Sequence, residues 1–159
     1  MTDSIKKILI PLNLPPIDPQ LRRDEDSRRD GLEIYDSLRL RWVALTPEEW
    51  VRQHFVSFLS EHRGFPRALM GNEVALSLNG TARRCDTVVF DRSLHPMCIV
   101  EYKAPDVRIT QKVFDQIARY NSVLQARYLI VSNGMSHYCC RYDGNSYTFL
   151  PDIPQFAEL

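Results

Sequence analysis

Apolar residues recur at helical spacing most clearly in LTPEEWVRQHFVSFLSEHRGFP, where Trp50, Val51, His54, Phe55, Phe58 and Leu59 share one stripe. Thr46 is placed to cap the start, Pro47 suits the first helical position, and Glu49, three residues after Thr46, completes a capping box. Gly64 and Pro66 end the helix. A second stripe, Val113, Ile117, Tyr120 and Leu124, runs through ITQKVFDQIARYNSVLQ. Between the two helices the period drops to two. EVALSLNGTARRCDTVVF reads as a hairpin turning at Asn79-Gly80, and HPMCIVEYKAP as a strand ended by Pro105. ARYLIVSNG is a buried strand stopped at Asn133-Gly134, and SHYCCRYDGNSYTFL a hairpin turning at Asp143-Gly144.

Ahead of the first helix the pattern is weaker. Residues 1–20 interleave aliphatic residues with four prolines, which predicts an extended arm. Arg22 to Asp30 is a mixed charge cluster, read as a solvated loop or link. Two short strands follow, Leu32–Tyr35 and Leu38–Val43, around a turn near Asp36–Ser37. The expected organisation is therefore an arm and charged loop over 1–30 and a single domain over 31–159. Helix, three antiparallel strands, helix, strand and hairpin make an α/β fold, a mixed sheet flanked by helices. There is no internal repeat and no low-complexity tract.

Composition narrows the function classes. A chain of 159 residues fits one domain. Twenty basic residues balance 20 acidic ones, so no global field advertises a nucleic-acid partner and only local patches could supply one. No apolar run approaches the roughly 20 residues of a membrane span. MTDSIKKILIPLNLPP stops at Pro11 with no small-residue cleavage site, so a signal peptide is not expected and a cytoplasmic location is. Cys85, Cys98, Cys139 and Cys140 have no CxxC spacing, and the adjacent pair points to opposite faces of any strand; they read as reduced core cysteines. His54, His62, His95 and His137 are scattered, and His54, on the helix stripe, reads as a packed core histidine. Six glycines and no phosphate-cradling loop leave a nucleotide-cofactor fold poorly supported.

Carboxylates interrupt the most apolar part of the chain, RRCDTVVFDRSLHPMCIVEYKAPD. Glu101 and Lys103, two apart on a strand, point the same way. If the hairpin closes near Arg92–His95, Asp86 falls opposite or diagonal to Glu101, and directly opposed residues have Cβ atoms about 5 Å apart. Two carboxylates that close repel unless a cation lies between them. Oxygen ligands with room for water suit Mg²⁺, and such a site serves phosphodiester hydrolysis, with Lys103 orienting the water or steadying the phosphate. An Asp/Glu/Lys group can also simply solvate an open sheet face. Cys98-Ile99-Val100 and Val88-Val89-Phe90, however, are apolar at both parities, so both strands look covered on both sides, where charges need partners or a function. Arg83, Arg84, Arg108, Lys112 and Arg119, with Arg52 and Arg67, could form a local basic ring for phosphates, or merely balance the acids.

CDTVVFD, IVEYKAP and FDQIARYN together resemble the PD-(D/E)xK nuclease superfamily, most of all the N-terminal domain of type I restriction enzyme R (motor) subunits. The resemblance runs from Gly31 to Gly134, and ALTPEEWVRQHF and RYNSVLQARYLIVSNG resemble small free-standing bacterial proteins of this kind. It implies a restriction-endonuclease-like core and a Mg²⁺-dependent (or Mn²⁺-dependent) DNA endonuclease, RNA not excluded. Asp86, Glu101 and Lys103 fall on its catalytic trio, and Gln116 and Tyr120, one turn apart on a helix, on its accessory motif; Tyr120 also lies on the apolar stripe and can serve as core. Glu49 or Glu73 would be an additional metal ligand. Cys85 stands where the superfamily's proline would be. No Walker motif GxxxxGK[ST] is present, so DNA pumping is not expected of this chain; separate motor or specificity subunits, or a homodimer, are the implied partners. The competing expectation is a catalytically latent nucleic-acid-binding or protein-interaction module that needs a partner chain.

Overall fold

The computed structural model describes residues 3–25 and 31–159, the side chain of Leu78 apart. In chain order its elements are α1 (Asp3–Ile8), β1 (Leu21–Arg23), β2 (Leu32–Asp36), β3 (Arg41–Ala44), α2 (Pro47–Arg63), β4 (Met70–Leu78), β5 (Thr81–Phe90), β6 (Pro96–Tyr102), α3 (Gln111–Leu124), β7 (Tyr128–Ser132), β8 (His137–Tyr142) and β9 (Tyr147–Leu150). Single 3-10 turns lie at Arg67–Leu69 and Phe156–Glu158.

Six strands, in the order β4-β5-β6-β7-β8-β9, form the main sheet. Every pairing is antiparallel except β6 with β7, because α3 carries the chain back across one face between them. Val51, Phe55 and Leu59 of α2 pack with Val89, Val100, Tyr102 and Ile130 on one face. Val113 and Ile117 of α3 pack with Cys85, Ile99, Leu129 and Val131 on the other. Covered on both sides, β6 and β7 bury nearly every residue, which is why they read as continuous apolar runs. Cys139 and Cys140 enter opposite clusters, and all four cysteines are free thiols. The mixed sheet flanked by helices is the architecture the alternation pattern predicts.

Local chemistry sets the ends of the elements. Asn79 and Gly80 both have positive φ, +51° and +74°, as a two-residue hairpin turn between β4 and β5 requires. Thr46 Oγ1 accepts the Glu49 N–H at 3.0 Å, capping α2 as expected. The reciprocal half of the capping box is missing, because the Glu49 carboxylate is engaged by arginines, stronger donors than a backbone amide. His54 is buried with Nδ1 2.9 Å from the Trp50 carbonyl, as a core histidine should be.

The N-terminal region departs most from expectation. An extended arm is found only after α1, and it is tied down: Trp50 Nε1 donates to the Ile10 carbonyl at 3.0 Å, and Asn13 N–H to the Gly134 carbonyl at 2.9 Å. Gly134, at φ +81°, leaves no room for a side chain, since a Cβ would lie 2.9 Å from Leu12 Cδ2. Leu9, Leu12 and Ile17 pack with Ile34, Leu45 and Trp50 in a third cluster. β1 overlaps the start of the segment expected as a loop, pairing with β2 in a separate β1-β2-β3 sheet; residues 26–30 of that charge cluster fall outside the described residues. The strand expected from Leu38 starts only at Arg41. The Asp36 carboxylate accepts the N–H groups of Leu38 and Arg39, at 2.8 and 3.2 Å, and so prolongs the turn.

Candidate active site

β5 pairs with β6 through Thr87↔Val100, Val88↔Ile99 and Val89↔Cys98, and one further step along that register sets Asp86 across from Glu101. The backbone is irregular at this point. Opposite Asp86, the β4 residue Glu73 has φ +55°, and the β4–β5 register passes directly from Asn72↔Thr87 to Val74↔Cys85. Cys85 sits in the cluster under α3, whereas Thr87, two residues on, hydrogen-bonds Tyr102 Oη on the α2 side at 2.9 Å. Strand alternation is therefore broken at Asp86, which faces α2. Its Oδ2 accepts the Tyr102 N–H at 2.8 Å and its Oδ1 accepts from Arg52 Nη2 at 3.0 Å.

Arg52 is buried, with 4% of its side chain exposed, and collects three carboxylates. Nη1 donates to Glu49 Oε2 at 2.6 Å, while Nη2 reaches Glu73 Oε1 at 2.7 Å as well as Asp86. A buried guanidinium needs such partners. Burial works against its charge, but Glu49 and Asp86 outweigh that and raise its pKa. The network continues outward: Arg39 bonds both Glu49 and Asp36, and Asp36 is held below the ordinary carboxylate range because hydrogen bonds from Asn72 and Arg39 overcome its burial.

This network engages two residues that the sequence left open. Both Glu49 oxygens are taken: Oε1 accepts from Arg39 and Gln53, and Oε2 from Arg52. Arg52 belongs to no surface ring; it is turned inward against Asp86.

Glu101 is 6% exposed, and Lys103 Nζ, its one ion-pair partner among the described residues, stands 3.5 Å from Oε1. Burial first and the Asp86 charge second, against the pull of Lys103, push the Glu101 carboxyl up to about 8. Burial also raises Asp86, with the Tyr102 N–H and Arg52 opposing. Glu48 is raised too, by burial and then by Asp86. Glu48 is the acidic group the sequence reading missed. Spacing from Thr46 pointed to Glu49, and nothing in the sequence distinguished the two neighbours.

Among the described residues, no three His, Cys, Asp or Glu side chains converge closely enough to hold a metal ion. The donor chemistry nevertheless fits Mg²⁺, which is commonly bound by one or two carboxylates plus waters and substrate phosphates. A buried Glu101 beside Asp86, with one ammonium at 3.5 Å, is a group whose ionisation a divalent cation would relieve. Asp86 and Glu101 are the residues that would hold it. Glu73 lies beside Asp86 but has Oε1 on Arg52 and Oε2 3.9 Å from Arg84.

On α3, Gln116 Nε2 donates to Tyr120 Oη at 3.1 Å, and Tyr120 packs against the apolar cluster beneath the helix. No hydrogen bond among the described residues joins either to the acidic group. Arg83, Arg84, Arg108, Lys112 and Arg119 are all exposed. Of these only Arg84 makes an ion pair among the described residues, while Arg67 bonds Ser37 and Glu61. No described helix is long and apolar enough to cross a membrane.

The profile of the family described as the type I restriction enzyme R protein N terminus matches residues 47–154. Among solved structures, the chain is similar to a fragment of a protein described as an HsdR subunit of a type I restriction enzyme from Vibrio vulnificus YJ016, with a TM-score of 0.55 and 16% identity. That likeness covers 68% of this chain and 23% of the other, and shows a shared fold. Comparison with curated proteins gave no significant match.

Proposed function

Because the chain belongs to the type I restriction enzyme R protein N-terminus family, we propose that it is a metal-dependent nuclease domain that hydrolyses phosphodiester bonds in DNA. The observation that carries this reading is the half-buried Asp86 across from the buried Glu101, with Lys103 Nζ 3.5 Å from the second carboxylate. Asp86 and Glu101 would hold Mg²⁺ or Mn²⁺, which supplies charge for the phosphoryl oxygens and acidifies a water. Tyr102 N–H and Arg52 fix the orientation of the Asp86 carboxylate. Lys103 brings a positive charge to the phosphate or orients the attacking water. Gln116, held by its bond to Tyr120, supports the site from α3. Arg83, Arg108, Lys112 and Arg119 supply exposed charge for the phosphates that flank the cut.

This chain spans 23% of its structural relative, so motor and specificity subunits, or a second copy of the chain, are proposed partners. A second reading, a non-catalytic nucleic-acid-binding module, draws on one observation: Arg52 already occupies Asp86 Oδ1, an oxygen a metal would use. Lys103→Ala separates the two. Under the nuclease reading it lowers Mg²⁺-dependent cleavage by roughly a hundredfold or more and leaves DNA retention on a filter almost unchanged. Equal loss of both, or of neither, favours the binding module.

A further inference from the structure

β9 (Tyr147–Leu150) closes one edge of the main sheet, and among the described residues no strand lies along its outer side. Two bonds fix the direction of its backbone groups. Tyr142 N–H donates to the Arg127 carbonyl at 2.7 Å, so Tyr142 turns its backbone toward β7. Asp143 N–H donates to the Ser146 carbonyl at 3.2 Å, across the β8–β9 turn. By the alternation of an antiparallel ladder, Thr148 and Leu150 then bond Arg141 and Cys139 of β8. Tyr147 and Phe149 direct N–H and C=O outward, where no described residue meets them. Their side chains lie on the α3 side, with Phe149 across from Cys140 and Tyr147 across from Tyr142. Phe149 is 58% exposed and Tyr147 39%. Both rings are held in place: Phe114 meets Phe149 edge-on at 5.1 Å, and Tyr142 stacks on Tyr147 at 4.6 Å. Edge strands are ordinarily blunted by charge, proline or irregularity. β4, at the opposite edge, has the charged Glu73 at φ +55°, whereas Tyr147-Thr148-Phe149-Leu150 has no charge and no proline.

We propose that two copies of the chain associate through β9, strand against antiparallel strand, about a two-fold axis at Thr148. In that register Tyr147 faces Phe149 of the partner subunit. The outward groups of the facing residues exchange both hydrogen bonds, and each tyrosine packs on a phenylalanine. A second copy is the occupant because the edge is self-complementary: the same two residues supply every donor and acceptor, as an isologous contact requires. The chain, with 20 basic and 20 acidic residues, has no net charge with which to repel itself. An edge of four residues is too short to bury the about 1,200–2,000 Å² of a stable interface, so the pairing is reversible, with a Kd above about 1 μM. The inference stands independently of the nuclease reading.

Sedimentation velocity of the whole chain at rising concentration should show a mass that grows from 18.5 kDa toward twice that value. Thr148 is exposed and lies across from Arg141 on β8. Thr148→Glu therefore gains a cross-strand partner within one copy, yet sets two carboxylates against each other on the axis. Thr148→Glu and Thr148→Lys should each remain monomeric alone, and an equimolar mixture of the two should dimerise again. Thr148→Cys should form a disulfide-linked dimer on mild oxidation, because residues facing across a non-hydrogen-bonded pair have Cα atoms about 4.5 Å apart. The wild-type chain, whose four cysteines are buried, should form none. Urea midpoints close to wild type show that the variants fold. A wild-type chain that stays monomeric at every concentration would sink the proposal. So would a dimer that survives Thr148→Glu, or a mixture of the two charged variants that stays monomeric.

Discussion

The two long helices cover opposite faces of one sheet, yet they do so with different chemistry. α3 buries Val113, Ile117 and Asn121 and leaves its charges in water. α2 buries Glu49, Arg52 and His54 along with its apolar stripe. The difference comes from what lies beside each helix. α3 has solvent along its polar flank, whereas α2 is enclosed by the small β1-β2-β3 sheet, the N-terminal segment and the irregular pairing at Glu73 and Asp86. Polar positions that an isolated amphipathic helix would solvate are forced into mutual ion pairs. A charged residue on the flank of a hydrophobic stripe is thus a surface group on one helix and part of a buried network on the other.

Truncations break that comparison most sharply. Arg52→Ala leaves Glu49, Glu73 and Asp86 without their shared cation and should destabilise the fold by about 3–5 kcal/mol, read from urea unfolding. Ile117→Ala, on α3, removes buried methyl groups and should cost about 2–5 kcal/mol. The two losses are similar in size, but only the first should also change Mn²⁺ binding by calorimetry. Identical metal affinity in the two variants would mean that Arg52 has no hold on the Asp86 site.

A smaller effect concerns pH. Glu101 has an ordinary value of 4.5 and is pushed to about 8 in the fold, so the folded state binds its proton more tightly than the unfolded chain does. Its contribution is fully present below the ordinary range and is lost as pH rises through that window toward 8. Glu101→Gln should flatten this part of the pH–stability curve, and Mn²⁺ at about pH 8 should stabilise wild type but not the variant. A wild-type profile with no such fall would remove the burial argument for this carboxyl.

The smallest predicted effects are at the caps. Thr46 accepts a backbone N–H at the start of α2, whereas the Thr110 side chain makes no capping bond at the start of α3. Thr46→Ala should cost about 1 kcal/mol and Thr110→Ala close to nothing, measured by thermal or urea midpoints. Equal costs would mean that the two helix starts are held by the same forces.

Much of the fold was legible because it is local. Asn79-Gly80 needs positive φ at two positions, Thr46-Pro47 writes a helix start, and the 3.6 and 2.0 periods separate the two helices from the strands. Asp86, Glu101 and Lys103 stood out because charges broke an apolar run. The short N-terminal elements were hidden. β1 is only three residues long and charged, and Leu38 and Leu40 look strand-like in a turn that the Asp36 carboxylate holds. Glu48 and the inward turn of Arg52 were hidden for another reason: adjacent acids and arginines look alike until their neighbours are known.

Periodicity, turn chemistry and the placement of charge in apolar strands, all readable within a few residues, determined the order of elements from the long first helix onward, the sheet flanked by helices and the positions of two carboxylates and a lysine within it. Only the tertiary structure decided which three carboxylates Arg52 would hold, and that Glu49 would join a buried ion-pair network while Glu48 feels the Asp86 charge. Those outcomes depend on contacts between segments dozens of positions apart. Ion-pair choice there is set by distance and desolvation in three dimensions, and the linear spacing of charges does not encode it.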